Sequence, residues 1–160
     1  KNIGVLDKTG EAVLHYTQPN KSLPTQTNIG AAHIAFTEDD YEGNLVKKVK
    51  VTSLDESLPD LKNVDWLRMD IEGSELRAIQ GARRIIESSP NLKIVTEWGP
   101  DMLKNFGNVS DFIDLLRNYG FNFYKIKDNG DLGDTMSKTE LLESKIVNLV
   151  LLRDRKTAQP

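Results

Sequence analysis

The chain has 160 residues, 21 basic and 24 acidic side chains, a formal net charge of −3 and no cysteine. A chain of this length makes one ordinary domain that buries roughly 68–70% of its unfolded surface, so it needs no staple to build a core. Without cysteine, disulfides, thiolate metal sites and a cysteine nucleophile are all excluded. The acidic balance speaks against a dedicated nucleic-acid or anionic-membrane binder.

In chain order, Ile3–Leu6 and Ala12–Tyr16 are short apolar stretches flanking the turn-rich Asp7–Glu11, a pattern that predicts a hairpin. Residues 17–45 carry Pro19, Asn20, Pro24, Asn28, Gly30 and Gly43 with no sustained period. So long an irregular stretch points to a functional or unstructured segment. Val46–Thr52 reads as a strand and Leu54–Pro59 as a turn. Val64–Met69 is a mostly apolar strand. Ser74–Glu87 then places Leu76, Ile79, Ala82, Ile85 and Ile86 on one helical face, and Pro90 bars continuation. Leu92–Trp98 is the next strand. Ser110 offers an N-cap to a helix from Asp111 to Tyr119 whose stripe is Phe112, Leu115, Leu116 and Tyr119, with Gly120 at its end. Phe121–Ile126 alternates as a strand, Asp128–Asp131 turns, and Ser137 to Glu140 has the form of a capping box. Ile146–Leu152 closes as a buried strand, far short of the about 20 residues a membrane helix needs. Strand and helix in alternation predict parallel βαβ units, hence an α/β fold. With neither a signal-peptide pattern nor a membrane run, a cytoplasmic location is expected.

Ligands of such sheets bind beyond the carboxyl ends of the strands. There stand Asp70 and Glu72, two apart and on one side if the backbone is extended, followed by Gly73, Ser74 and Glu75. Two converging carboxylates can bind a cation, take a proton or anchor a hydroxyl. Alternatively Asp70 caps the next helix, while Glu72 and Glu75 favour its positive end. Glu97 adds a carboxylate at the end of the next strand, and Trp98 is either a wall for a flat ligand or a core residue. His15 and His33 read more readily as structural histidines than as bases, and Lys47, Lys48 and Lys50 as a solvated strand face. Asp128–Asp134 resembles a calcium loop only superficially, since Gly130 and Leu132 stand where oxygen ligands are needed. A glycine-rich phosphate loop, a G-x-S-x-G elbow and an H-E-x-x-H helix are all missing from the sequence.

Val64-Asp65-Trp66-Leu67-Arg68-Met69-Asp70-Ile71-Glu72-Gly73-Ser74-Glu75, continued by Ile79-Gln80-Gly81-Ala82, resembles the hallmark of FkbM-family methyltransferases, an apolar strand ending in K-[IV]-D-[VI]-E-G-x-E before an L-x-G-A helix. Arg68 replaces the usual Lys. Val51–Asp55 is similar to the family's V-x-T-L-D segment, and Ile94–Glu97 to its next strand. The resemblance implies a Rossmann-like class I methyltransferase sheet, mostly parallel with a late antiparallel strand, and S-adenosylmethionine as cofactor. It also implies N-terminal truncation, because the family's D-x-G-A-N-x-G loop and its ribose-binding acid have no counterpart ahead of Ile3. The chain, which opens on Lys1, is then a fragment or is completed by another segment: a partial domain over 1–153 with a loose polar tail at 154–160. Its cofactor-binding residues stay unassigned, its affinity for the cofactor is expected to be poor, and the 64–69 strand is expected to have an exposed edge.

On this reading Asp70 and Glu72 form the catalytic edge with Glu97 in support, and Asn28, His33 and Trp98 face the substrate. No metal ligand is assigned, although a divalent cation is admitted as a helper. The expected partner is a hydroxyl-bearing small molecule, sugar- or polyketide-like, to be O-methylated. Two other readings stand beside it: a non-catalytic module descended from a methyltransferase, and a two-metal nuclease or phosphatase, which would need more strand-end acids than Glu97.

Overall fold

The computed structural model describes residues 2–17, 33–35 and 44–153. Two sheets are present among them. The first holds β1 (Gly4–Val5), β2 (Gly10–Thr17), β3 (His33–Ala35) and β4 (Asn44–Thr52) in the order β1-β4-β2-β3. β4 therefore separates the two stretches expected to form a hairpin: β1 pairs with it in parallel and β2 antiparallel. A turn-rich pentapeptide says that the chain bends, but not that its flanks pair with each other.

The second sheet holds β5 (Trp66–Met69), β6 (Lys93–Trp98), β7 (Phe121–Ile126), β8 (Leu132–Thr135) and β9 (Val147–Arg153), ordered β5-β6-β9-β7-β8. β5 and β6 are parallel, and β6 and β7 are each antiparallel to β9. So β5, β6 and β7 point one way, as their intervening helices require, and β9 is reversed between β6 and β7. The expectation of a mostly parallel sheet is overturned. Among the described residues five of the seven strand pairings are antiparallel, because β9 inserts between two like-directed strands and β8 folds back on β7.

The helical stretch expected over Ser74–Glu87 is divided into α2 (Glu75–Gln80) and α3 (Arg83–Glu87). Gly81 lies so close to the chain after β1 that an added Cβ would stand 2.3 Å from the Leu6 carbonyl oxygen. The Asp55 carboxylate, from α1 (Leu54–Ser57), then accepts from the Arg84 and Ile85 amides at 2.7 and 3.1 Å and caps the second piece. α4 (Pro100–Leu103) follows β6. α5 (Val109–Asn118) begins earlier than expected, because Asn108 rather than Ser110 is its N-cap. The capping box at α6 (Lys138–Glu143) is present with both arms made. One core joins these helices to one face of the second sheet, around Ile79, Ile94, Trp98, Phe112, Phe123 and Leu151. No helix among the described residues is long and apolar enough to cross a membrane.

Candidate functional site

Three strand ends and two strand starts share an edge of the second sheet, β8 beginning there with Leu132 opposite Ile126. Trp98 at the end of β6 lies opposite Val147 at the start of β9, and β7 reaches the same edge with Lys125 opposite Leu149. β5 ends beside β6, with Met69 opposite Thr96.

Beyond β5 the backbone is not extended, so Asp70 and Glu72 do not share a side in the way their spacing suggested. Glu72 adopts a left-handed φ of 53° and Gly73 a φ of 94°. Only glycine suits Gly73: its conformation disfavours a side chain, and a Cβ would meet Met102 Cβ and carbonyl oxygen at 3.1 Å. A Cβ on Gly99, just after β6, would meet the same methionine's Cε at 2.8 Å. Met102 of α4 thus wedges between the two strand exits. Sequence reading passed over it; the available signal was a glycine soon after each of two neighbouring strands, four residues beyond β5 and directly after β6.

The side chains divide by burial. Asp70 is exposed and faces Arg68 at 3.5 Å, an open ion pair of little energetic weight. Glu97 is half-buried; desolvation, then the negative charges of Asp70 and of Glu72, raise its carboxyl above the usual range. The three acids expected at the edge are therefore brought within electrostatic reach of one another. Glu75 is 3% exposed and also raised, chiefly by burial, against backbone hydrogen bonds that lower it, with Glu97 adding a smaller upward push. Its Oε1 accepts the Ile71 amide at 3.0 Å.

Trp98 lines no part of this edge. It is 1% exposed, stacks on Phe112 and meets Phe123 edge-on, and its indole N–H donates to the Leu141 carbonyl at 3.0 Å. Alternation along β6 puts Trp98 on the helix-covered face and Glu97 on the other. His33 lies in β3 opposite the buried His15, its side chain outside the described residues, and Asn28 lies outside them altogether, as does 154–160. Among the described residues no three His, Asp or Glu side chains converge as a metal-ligand set, so the helper cation finds no support.

Where β7, β8, α6 and the start of β9 meet, a cleft of about 810 Å³ opens along the same edge. Lys125, Lys127, Asp134, Glu143, Lys145 and Val147 are among its lining residues. Its size is that of a small-molecule site, and both signs of charge face into it.

Strand exits carrying Asp70-Ile71-Glu72-Gly73-Ser74-Glu75 and Glu97 thus lie on a sheet with two reversed strands, β8 and β9. The sequence matches the model described as Methyltransferase FkbM domain over residues 1–123. The chain belongs to the FkbM methyltransferase family. No curated protein and no solved structure matches it. The matched region of this FkbM domain takes in β1 to β6 and the first half of β7; β9, which completes the edge beside Glu97, comes from the segment after it.

Proposed function

We propose that this FkbM-family protein is an S-adenosylmethionine-dependent methyltransferase that acts on a hydroxyl of a sugar- or polyketide-like small molecule. The observation that carries the reading is the grouping of Asp70 and Glu72 around a half-buried Glu97 on one edge of the sheet. The donor set suits that cofactor: carboxylates accept from an ammonium group or ribose hydroxyls and are favourable neighbours of a cationic sulfur. When bound, the cofactor supplies a methyl group already activated as an electrophile, so the acceptor needs chiefly to be placed and to lose its proton.

Glu97 takes that proton. Its raised proton affinity brings it nearer the working range of a general base than an exposed carboxylate, and its place between β5 and β9 lets it reach into the edge without leaving the sheet. Asp70 and Glu72 hold donor groups and keep the edge negative. The acceptor docks in the neighbouring cleft, where lysines and carboxylates together offer donors and acceptors to a polyhydroxylated molecule.

Transfer of labelled methyl from S-adenosylmethionine to a panel of hydroxylated small molecules, with the label located in the product, tests this. In a protein that also carries the family's cofactor loop, label on oxygen is expected, together with turnover reduced about 10²-fold or more by Asp70→Asn or Glu97→Gln. A loss under about threefold for Asp70→Asn would return that residue to a turn role. Label on nitrogen would overturn the hydroxyl assignment.

A further inference from the structure

We infer that Glu75 is a positioning residue, one that holds Glu72 in place by bracing the Ile71–Ser74 turn with its carboxylate. The inference rests on the carboxylate edge being the working edge, as proposed above.

An acid in the first turn of a helix ordinarily sits at the surface and interacts weakly with the helix end. Glu75 does not. It is 3% exposed, and it lines a cavity of about 10 Å³ with Met69, Ile79, Thr96 and Trp98, on the core side of the sheet. A carboxylate so placed is costly unless polar groups satisfy it. What it finds is the backbone of the turn: its Oε1 accepts the Ile71 amide at 3.0 Å, and the amides of Gly73 and of Glu75 itself favour its charged form electrostatically.

Those amides belong to the segment whose conformation needs an external hold. Glu72, with a side chain, stands at φ 53°, a strained conformation that persists where neighbours over-determine it. The usual agent for a helix start, the hydroxyl of the residue before it, is not used. Ser74 occupies the N-cap position, yet makes no side-chain cap bond, and its buried Oγ meets no hydrogen-bond partner among the described residues. Glu75 has taken over the task one residue later. It reaches back to Ile71, while the Ser74 amide donates to the Ile71 carbonyl at 3.2 Å and closes the same turn from the other side. Met102 behind Gly73 completes the clamp. The direction in which the Glu72 side chain leaves the backbone is thereby fixed.

The charged group that acts on Glu75 is the Glu97 carboxylate, which shares its electrostatic environment. The test is nuclear magnetic resonance on the whole chain without cofactor or acceptor, comparing the wild type with Glu75→Gln and Glu75→Ala. In the wild type the Ile71 and Gly73 amide protons are expected to follow the Glu75 carboxyl step on pH titration, and the Glu72 backbone signals to move with them. Glu75→Gln, which keeps an acceptor oxygen, should abolish that step but retain the Glu72 signals and Ile71 exchange within about threefold. Glu75→Ala should speed Ile71 exchange about tenfold or more and displace the Glu72 signals. Amides of Ile71 and Gly73 that ignore the Glu75 step would overturn the inference, as would Glu75→Ala with wild-type Glu72 signals and only a lower melting temperature. Should Glu75→Ala fail to fold, the wild-type titration and Glu75→Gln decide alone. Because the measurement needs no methyl transfer, its failure leaves the proposed activity standing, and failure of the activity leaves the turn readable.

Discussion

Along β6, Ile94, Thr96 and Trp98 are buried beneath the helices, while Val95 and Glu97, displaced by one residue each, remain half-buried on the opposite face. The neighbouring strands repeat the division. Leu67 and Met69 of β5 lie opposite Ile94 and Thr96, whereas Trp66, 58% exposed, lies opposite Lys93, whose ammonium sits 4.7 Å from its ring. One face is filled by large side chains in contact on all sides, and the other carries charged groups and single hydrophobes that touch water. The difference shows how a strand can serve two tasks: a period of two puts the packing residue and the chemical residue side by side, with the register to β9 and β5 deciding which is which.

The sharpest way to break the comparison is at Trp98. Replacing it with alanine removes two aromatic partners and orphans a buried carbonyl, and should lower stability by about 3–5 kcal/mol on chemical denaturation. Glu97→Gln, one residue away on the other face, should leave the denaturation midpoint close to wild type while cutting methyl transfer about 10²-fold. If both substitutions lowered stability alike, the two faces would not differ in kind.

A smaller effect separates the carboxylates by pH. Glu75 and Glu97 are both raised in the folded state, so the folded chain binds their protons more tightly than the unfolded chain. The stability they contribute is complete below the unfolded value of about 4.3 and is lost as pH rises through their folded values. Glu75→Gln should therefore gain on the wild type as pH is raised from 4 to 7, by about 1.4 kcal/mol for each unit of displacement removed, read from denaturation curves at the two ends. A constant difference between the two proteins over that range would mean that the buried carboxylate titrates as if exposed. The smallest effect is expected at Trp66→Ala on the open face, about 1 kcal/mol or less, since the ring is largely exposed and its contact with Lys93 is solvated.

Much of the local structure was legible. The stripe through Phe112 and Leu116, the capping box at Ser137 and Glu140, and the strands around β5, β6, β7 and β9 all follow from spacing and from residues adjacent in the chain. The hairpin over Ile3–Tyr16 was misread because the partner of both stretches is β4, some forty residues on, and no local pattern announces it. The helix over Ser74–Glu87 was read as continuous because its apolar face is continuous; what divides it is the Leu6 carbonyl against Gly81 and the Asp55 carboxylate beneath Arg84.

At the site, proximity of Asp70, Glu72 and Glu97 could be anticipated from strand ends, but not the left-handed turn that sets it up. Glu75 was the least visible. By its position alone it is a surface acid at a helix start, and only the packing of α2 on the core makes it a buried one.

By itself the order of residues determined which segments become helix or strand, where several of them are capped, and the family to which the chain belongs, because period, capping and motif are relations between near neighbours. Only the tertiary structure decided that β9 runs reversed between β6 and β7, that Trp98 is core while Glu97 is edge, and that Met102 and Glu75 brace the acidic turn. Those facts depend on contacts between residues far apart in the chain, which exist only once the sheet has closed around its core.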